Sequence, residues 1–326
     1  MTASKPVETV AMIGLGSVGS GWAALLLARG VAVKGFDPGG GAADQSRMLI
    51  GQSWPSLIEL GIASDPEPPF EKMTVCDTIV EAVTGADIII ENVPENLELK
   101  HNVMTQIDGA AANDALILSS AGGIAATELQ SVCQHPERVI VMHPFNPSHL
   151  IPLVEIAPGQ QTSQDTVDRT LALARFIGKE PIVVSGERPG HMVNRLQFAL
   201  VREAIRCLAD GVATPQDIDD AVRFGLAPRW VFQGGLQTLA MAGGPGGMKG
   251  ILDHAGPAMQ KWWATEEDYK LTDEIKAQLV DAAEQYAAGA EFSEWVAWRD
   301  RQLVNLLRLQ SDADAQRPEN MGGQDT

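Results

Sequence analysis

Cysteine is scarce in this chain: Cys76, Cys133 and Cys207 are the only three among 326 residues. They are odd in number, far apart and without CxxC spacing, so neither a disulfide framework nor a zinc site is indicated, and no metal is expected. Positive charge is scarce as well. Against 42 acidic side chains stand 24 lysines and arginines, a formal net charge of −18. Phosphates repel such a surface at long range, which argues against a nucleic-acid or anionic-membrane partner. Long apolar runs are missing too. The stretch Trp22–Ala28 is apolar but far shorter than the ~20 residues of a membrane span. The first nine residues contain Lys5 and Glu8 and no apolar signal core. The expectation by default is a cytoplasmic protein with reduced thiols.

What is present is ample apolar material, 45% of residues, and a length that suits about two domains. The first half alternates short β-rich runs with helical stretches. Thr9–Ile13, Val31–Phe36, Ile88–Glu91, Leu116–Ser119 and Val139–Met142 read as strands. Pro152–Ile156 and Pro181–Ser185 read as two more, closing a sheet edge. Such alternation implies βαβ units, a parallel sheet and, with right-handed crossovers, an α/β doubly wound fold. The segment Gly186-Glu187-Arg188-Pro189-Gly190 ends the pattern, and beyond it the periodicity is helical. Thr214-Pro215-Gln216-Asp217 reads as a helix start, and Leu271–Ala288 and Phe292–Leu309 as further helices. The expected organisation is an α/β domain over 1–187, a helical domain over 188–310 and a polar, disordered tail over 311–326.

The first strand runs into Gly14-Leu15-Gly16-Ser17-Val18-Gly19 and then a helix. In a dinucleotide fingerprint the first glycine allows the tight turn, the second lets backbone approach a pyrophosphate, and the third lets helix and strand pack closely. The helix N-terminus at Ser17 and Val18 offers free N–H groups and a positive dipole end. The second strand ends at Asp37, 18 residues after Gly19. A carboxylate there accepts hydrogen bonds from the adenosine ribose and repels a 2′-phosphate, so NAD is favoured over NADP, with FAD a minor alternative.

His143-Pro144-Phe145-Asn146-Pro147 follows a strand of the same sheet, and Glu155 stands on the next apolar run, twelve residues after His143. An acid amid strand apolars is costly unless paired, and His143 is its natural partner. Such a pair makes a general base able to take a hydroxyl proton as hydride leaves the same carbon. Spacing alone leaves a structural histidine nearly as good a reading as a catalytic one.

Together with the fingerprint, the segments Val93-Pro94-Glu95-Asn96-Leu97-Glu98-Leu99-Lys100, His143–Pro147, Leu153-Val154-Glu155 and Gly190-His191-Met192-Val193-Asn194-Arg195 resemble the 3-hydroxyacyl-CoA dehydrogenase family over residues 8 to 300. The resemblance implies a Rossmann-type NAD domain, a helical C-terminal domain that forms a homodimer, and NAD-linked oxidation of an L-3-hydroxy group. By it His143 is the catalytic base and Glu155 its partner. It also places Glu95 and Lys100 near the nicotinamide-side ribose, and Asn146 and Asn194 around the nicotinamide and the substrate oxygen. Taken alone, Glu95 and Lys100 also suit a solvated ion pair, and Asn194 a helix cap. The remaining histidines, His191 among them, read as structural or surface residues.

Two segments depart from the CoA-using pattern. Gly122 stands where the family usually has a serine that contacts substrate, and Ser119 and Ser120 are the nearest hydroxyls. Arg229-Trp230 is an arginine followed by an aromatic, as in the family's branches that act on L-gulonate or L-carnitine. A guanidinium can hold a free carboxylate by two parallel hydrogen bonds, although a surface arginine fits about as well. Trp230, Trp262 and Trp263 suit either a cage for a quaternary ammonium or core and interface packing. Asn194-Arg195-Leu196-Gln197 resembles the L-gulonate 3-dehydrogenase (lambda-crystallin) branch. The expectation is therefore oxidation of a small L-3-hydroxy acid, most like L-gulonate. L-carnitine or a short 3-hydroxyacyl-CoA thioester are the alternative substrates, and a crystallin-like NAD-binding protein is the non-enzyme alternative.

Overall fold

Eight strands form one sheet in the order β3-β2-β1-β4-β5-β6-β7-β8. The computed structural model describes residues 7–231, 234–263, 272–274, 277 and 291–315. The chain divides into two compact units, residues 1–196 and 197–326.

In the first unit the strands are β1 (Thr9–Ile13), β2 (Ala32–Phe36), β3 (Met73–Val75), β4 (Ile88–Glu91), β5 (Leu116–Ser119), β6 (Val139–Pro144), β7 (Leu153–Pro158) and β8 (Glu180–Val183). Strands β3 through β6 are parallel to their neighbours, β7 runs antiparallel to β6, and β8 is parallel to β7. The helices are α1 (Ser17–Ala28), α2 (Ala42–Glu59), α3 (Ile79–Val83), α4 (Leu97–Ala110), α5 (Ala126–Gln130) and α6 (Gln164–Phe176). This is the Rossmann-type doubly wound arrangement anticipated from the alternating pattern. Strand β3 was not anticipated, because three residues are too few to show an alternation.

Residues alternate between the two faces of the sheet. Val10, Met12, Ile88, Ile90, Leu116, Leu118, Ile140 and Met142 join one core, which also takes in Trp22 and Leu25–Leu27 of α1. Ala11, Ile13, Ile89, Ile117, Val139 and Val141 join the other, with Met104 and Ile107 of α4. Burial on both faces explains why these strands are apolar throughout rather than alternating. The run Trp22–Ala28 thus belongs to a core helix. No helix among the described residues is long and apolar enough to cross a membrane.

The connection between β1 and β2 lies on one side of the sheet and that between β4 and β5 continues in the other direction, so the strand order reverses between β1 and β4. Open α/β sheets bind ligands at the carboxyl ends of the strands flanking such a reversal. Gly14, Asn92 and Ser120, which follow β1, β4 and β5, all lie there.

The second unit is helical in its described parts. Helix α7 (Val193–Ala209) begins in the first unit and continues into the second. Then come α8 (Pro215–Asp220), a π-helical turn Ala221–Leu226, α9 (Ala227–Trp230), α10 (Gly234–Ala242), α11 (Gly247–Trp263) and a long helix Phe292–Ala315. Thr214 and Asp217 cap α8 reciprocally, as the sequence signature predicts. The helix expected over Leu271–Ala288 lies almost entirely outside the described residues. The last helix runs on to Ala315, so the first part of the expected tail is helical; residues 316–326 lie outside the described residues.

Candidate active site

The glycine-rich turn is tied together by backbone contacts that leave no room for side chains. Gly14 has φ +95°, and a Cβ there would stand 2.9 Å from the Asn92 carbonyl. A Cβ at Gly19 would fall 2.0 Å from the Gly14 oxygen. Around Gly16, by contrast, no protein atom lies within 4 Å of the Cβ position. Open space therefore borders the start of α1, whose N-terminus carries no side-chain cap and no acid in its first turn. The first hydrogen bond of the helix goes from Ser20 N–H back to Gly16, which leaves the amides before it, at Ser17, Val18 and Gly19, directed at the opening. A pyrophosphate fits this uncapped N-terminus.

Asp37 follows β2. The Leu15 N–H donates to its Oδ2 at 2.9 Å and the Gly39 N–H to its Oδ1 at 2.9 Å. Each carboxylate oxygen retains acceptor capacity for a ribose hydroxyl. The residues present fit a dinucleotide.

The second cluster forms where β6 and β7 lie side by side. Antiparallel pairing sets His143 opposite Glu155, which is the physical meaning of their twelve-residue separation. The His143 Nδ1–H donates to Glu155 Oε2 at 3.1 Å. A carboxylate can only accept, so Nδ1 carries the proton and Nε2 keeps its lone pair. Glu155 is fully buried, and its other oxygen accepts from the Met192 and Val193 N–H groups, each at 2.9 Å. Burial holds His143 below the usual histidine range. The Glu155 hydrogen bond opposes that shift, His191 adds to it, and the charges of Glu155 and Glu95 oppose it. An imidazole so held is neutral at physiological pH and able to accept a proton at Nε2. The Phe145 ring packs edge-on against it, 4.7 Å between centroids.

Gly122 lies directly before that nitrogen. A Cβ at this position would stand 3.0 Å from His143 Nε2 and 3.3 Å from Asn194 Nδ2. The Asn194 amide donates to the Gly122 carbonyl at 3.0 Å. The structure thus brings together His143, Glu155, Gly122 and Asn194, from β6, β7, the loop after β5 and the start of α7. Glu95 borders the same loop and accepts from the amides of Gly122, Gly123 and Ile124, at 3.4, 2.7 and 3.0 Å.

Other expected site residues are placed differently. Lys100 is 1% exposed. Its ammonium donates to both oxygens of Glu91, at 2.8 and 3.1 Å, and to the Val93 carbonyl at 3.0 Å. All three donors thus lie on Glu91 and the Val93 carbonyl, so the ammonium is not half of a solvated pair with Glu95. Glu95 stands 3.9 Å away, as a second and weaker ion-pair partner. Ser120 accepts from the Trp22 indole at 3.1 Å and donates to Asn92 Oδ1 at 2.7 Å. Asn146 is exposed, just before a cis peptide bond to Pro147. Arg229 is exposed on α9 in the second unit.

Sequence reasoning missed Glu91 and His191. Glu91 ends β4 as an acid in an apolar strand, the same signal that singled out Glu155. His191 is 5% exposed, and its ring stands 5.5 Å from that of His143.

An uncapped glycine-rich helix start, a ribose-side aspartate and an imidazole–carboxylate pair define a nicotinamide-dependent oxidoreductase that moves a proton and a hydride. Residues 9–188 match the NAD binding domain of 3-hydroxyacyl-CoA dehydrogenase, and residues 190–295 match its C-terminal domain. The chain belongs to the 3-hydroxyacyl-CoA dehydrogenase family and is an NAD-dependent enzyme. It is 38% identical over 308 residues to an L-carnitine dehydrogenase of Streptomyces coelicolor, covering 94% of this chain and 96% of that one. It is 37% identical over 309 residues to an L-carnitine dehydrogenase of Pseudomonas putida, covering 95% and 96%. Among solved structures, 5-formyl-3-hydroxy-2-methylpyridine 4-carboxylic acid 5-dehydrogenase, an NAD+-dependent dismutase, superposes with a TM-score of 0.75 at 30% identity, over 94% of this chain and 99% of that one. (S)-3-hydroxybutyryl-CoA dehydrogenase from Ralstonia eutropha gives a TM-score of 0.63 at 28% identity, over 79% and 88%.

Proposed function

We propose that this enzyme oxidises the 3-hydroxyl of a small, free hydroxy carboxylic acid, and that L-carnitine is the substrate. The chemistry rests on one observation: a His143 whose Nδ1 is hydrogen-bonded to Glu155 and whose Nε2 faces Gly122, where a Cβ would stand only 3.0 Å away. His143 Nε2 takes the hydroxyl proton, and Glu155 stabilises the imidazolium that forms. The Asn194 amide, held by the Gly122 carbonyl, orients the reacting oxygen. When bound, NAD would supply the hydride acceptor for the carbon that bears that oxygen. Gly14, Gly16, Ser17, Val18, Gly19 and Asp37 would hold the dinucleotide, with Glu95 and Asn146 toward its nicotinamide side.

The choice of L-carnitine over L-gulonate is supported by relatives 37–39% identical along more than 90% of both chains, which are L-carnitine dehydrogenases. Glycine at 122 keeps a side chain from crowding His143 Nε2 and Asn194 Nδ2, which a Cβ there would approach to 3.0 and 3.3 Å. Arg229 has no acidic partner among the described residues and is the proposed anchor for the carboxylate, which a thioester would lack. A homodimer is part of this reading. Helix α7 buries none of its side chains, and it exposes Leu196 with Leu200 on one face and Phe198 with Val201 on another, apolar surface that self-association would cover. A single-chain mass in light scattering would end that part.

The test is NADH formation with L-carnitine, L-gulonate, L-3-hydroxybutyrate and 3-hydroxybutyryl-CoA. L-carnitine should give the highest kcat/KM. Turnover of the thioester alone would overturn both the free-acid reading and the role of Arg229, and preference for L-gulonate would overturn the choice of substrate.

A further inference from the structure

His191 is the one non-glycine residue among those described with a positive φ, +47°. Left-handed backbone is uncommon outside glycine and costs energy, so it persists where the surroundings impose it. The surroundings here are the reaction centre. The His191 ring is buried, and its Nε2–H donates to the Ala121 carbonyl at 3.0 Å. The next residues follow in register: the Met192 and Val193 amides bind Glu155, and the Asn194 side chain binds the Gly122 carbonyl. Four consecutive residues thus grip two consecutive carbonyls of the loop after β5 and one oxygen of Glu155. Two of those grips, His191 on Ala121 and Asn194 on Gly122, set where the loop stands relative to His143.

We infer that His191 is a positioning residue for the reaction: by pinning Ala121 it fixes Gly122 and Asn194 at their separation from His143 Nε2. This rests on His143 being the base. The ring also contributes electrostatically. The groups that face His143 are Glu155 from β7, Glu95 from the segment before α4 and His191 from the turn before α7. Of these only His191 acts in the same direction as burial and favours the neutral imidazole, while both glutamates favour the charged one. Glycine at 122 increases the dependence on this grip, because no side chain there fills the space before His143 and Asn194.

A role confined to making the turn is separable from this one, since glycine adopts φ +47° without strain. His191→Gly should therefore keep the turn and fold, with a Tm lowered by loss of the buried ring and its hydrogen bond, and bind NADH with unchanged Kd. Its kcat/KM should nonetheless fall roughly 10- to 100-fold, the scale set by an ångström of misplacement. In the NAD-free protein, the His143 titration followed by 15N NMR, assigned by its loss in His143→Ala, should move to higher pH. His191→Gln, which keeps a donor for Ala121, should recover most of the rate. His191→Asn tolerates left-handed backbone but carries a shorter amide, and it repeats the test if the glycine variant unfolds. Wild-type kcat/KM together with an unmoved His143 titration in the glycine or asparagine variant would overturn the inference. So would a glutamine variant as impaired as the glycine one. The NMR titration needs no substrate, so failure of the L-carnitine reading is distinguishable from failure of this one.

Discussion

Glu91, at the end of β4, and Glu155, within β7, are both fully buried in one sheet, yet their partners differ in kind. Glu91 faces the Lys100 ammonium, the Ser119 hydroxyl at 2.5 Å and the Val93 amide at 2.6 Å. Glu155 faces an imidazole and two amides. Burying a carboxylate is costly unless every oxygen is answered, and in both places it is. A lysine answers with a fan of donors, here spread over both Glu91 oxygens and the Val93 carbonyl. A histidine answers with a proton it can take up and release. The first arrangement fixes the chain between β4 and α4. The second stores the capacity to change charge during a reaction. The same cost of burial thus yields a brace in one place and the proposed base in the other, and the counter-residue makes the difference.

Substitutions at the counter-residues break the comparison most severely. His143→Ala should lower kcat by roughly 10²–10⁴-fold while NADH binding, measured by fluorescence, stays near wild type; retained turnover would remove His143 from the mechanism. Lys100→Met should act on stability instead. It strands Glu91 as an unpaired buried acid, a loss on the order of 3–5 kcal/mol, read as a fall in the denaturation midpoint. A variant as stable as wild type would show that Ser119 and Val93 suffice.

A smaller and more discriminating effect lies in the pH profile. Burial holds the His143 pKa below the ordinary histidine value, so kcat/KM should be level at neutral pH and decline only once pH drops below that range, as Nε2 becomes protonated. Glu155→Gln removes the hydrogen bond and charge that oppose the burial effect. Its acid limb should move to still lower pH while the plateau falls, because the imidazolium formed in the reaction loses its partner. An upward movement of the limb would mean that Glu155 does not act on His143 as the geometry implies.

Much of the fold was legible in the sequence because its signals are local. β1, the glycine turn, α1, β2 and Asp37 are contiguous; Gly14 and Gly19 answer to close backbone contacts, while Gly16 borders open space at the helix start. His143 and Glu155 were legible because two adjacent antiparallel strands convert sequence spacing into a cross-strand pair. What escaped depends on distant partners. Lys100 sits on a helix with polar neighbours and reads as solvent-facing, but its turn of α4 lies over the end of β4 and carries the ammonium to Glu91. Ser120 reads as a spare hydroxyl until Trp22, 98 residues away, is found donating to it. His191 carries no motif, and its partner Ala121 lies 70 residues earlier. The role proposed for Arg229 rests on resemblance, since an exposed arginine in a helical turn has no local mark of purpose.

Helix α7 has a consequence for how such enzymes can be recombined. The two family domains meet between residues 188 and 190, which looks like a natural seam for grafting one helical half onto another NAD half. The donors to Glu155 and to the Ala121–Gly122 carbonyls all lie beyond that seam, at residues 191–194. A chimera joined at 189 would inherit its reaction centre from both parents at once. One joined within the body of α7, past Leu196, would inherit it from a single parent and exchange only the helical unit.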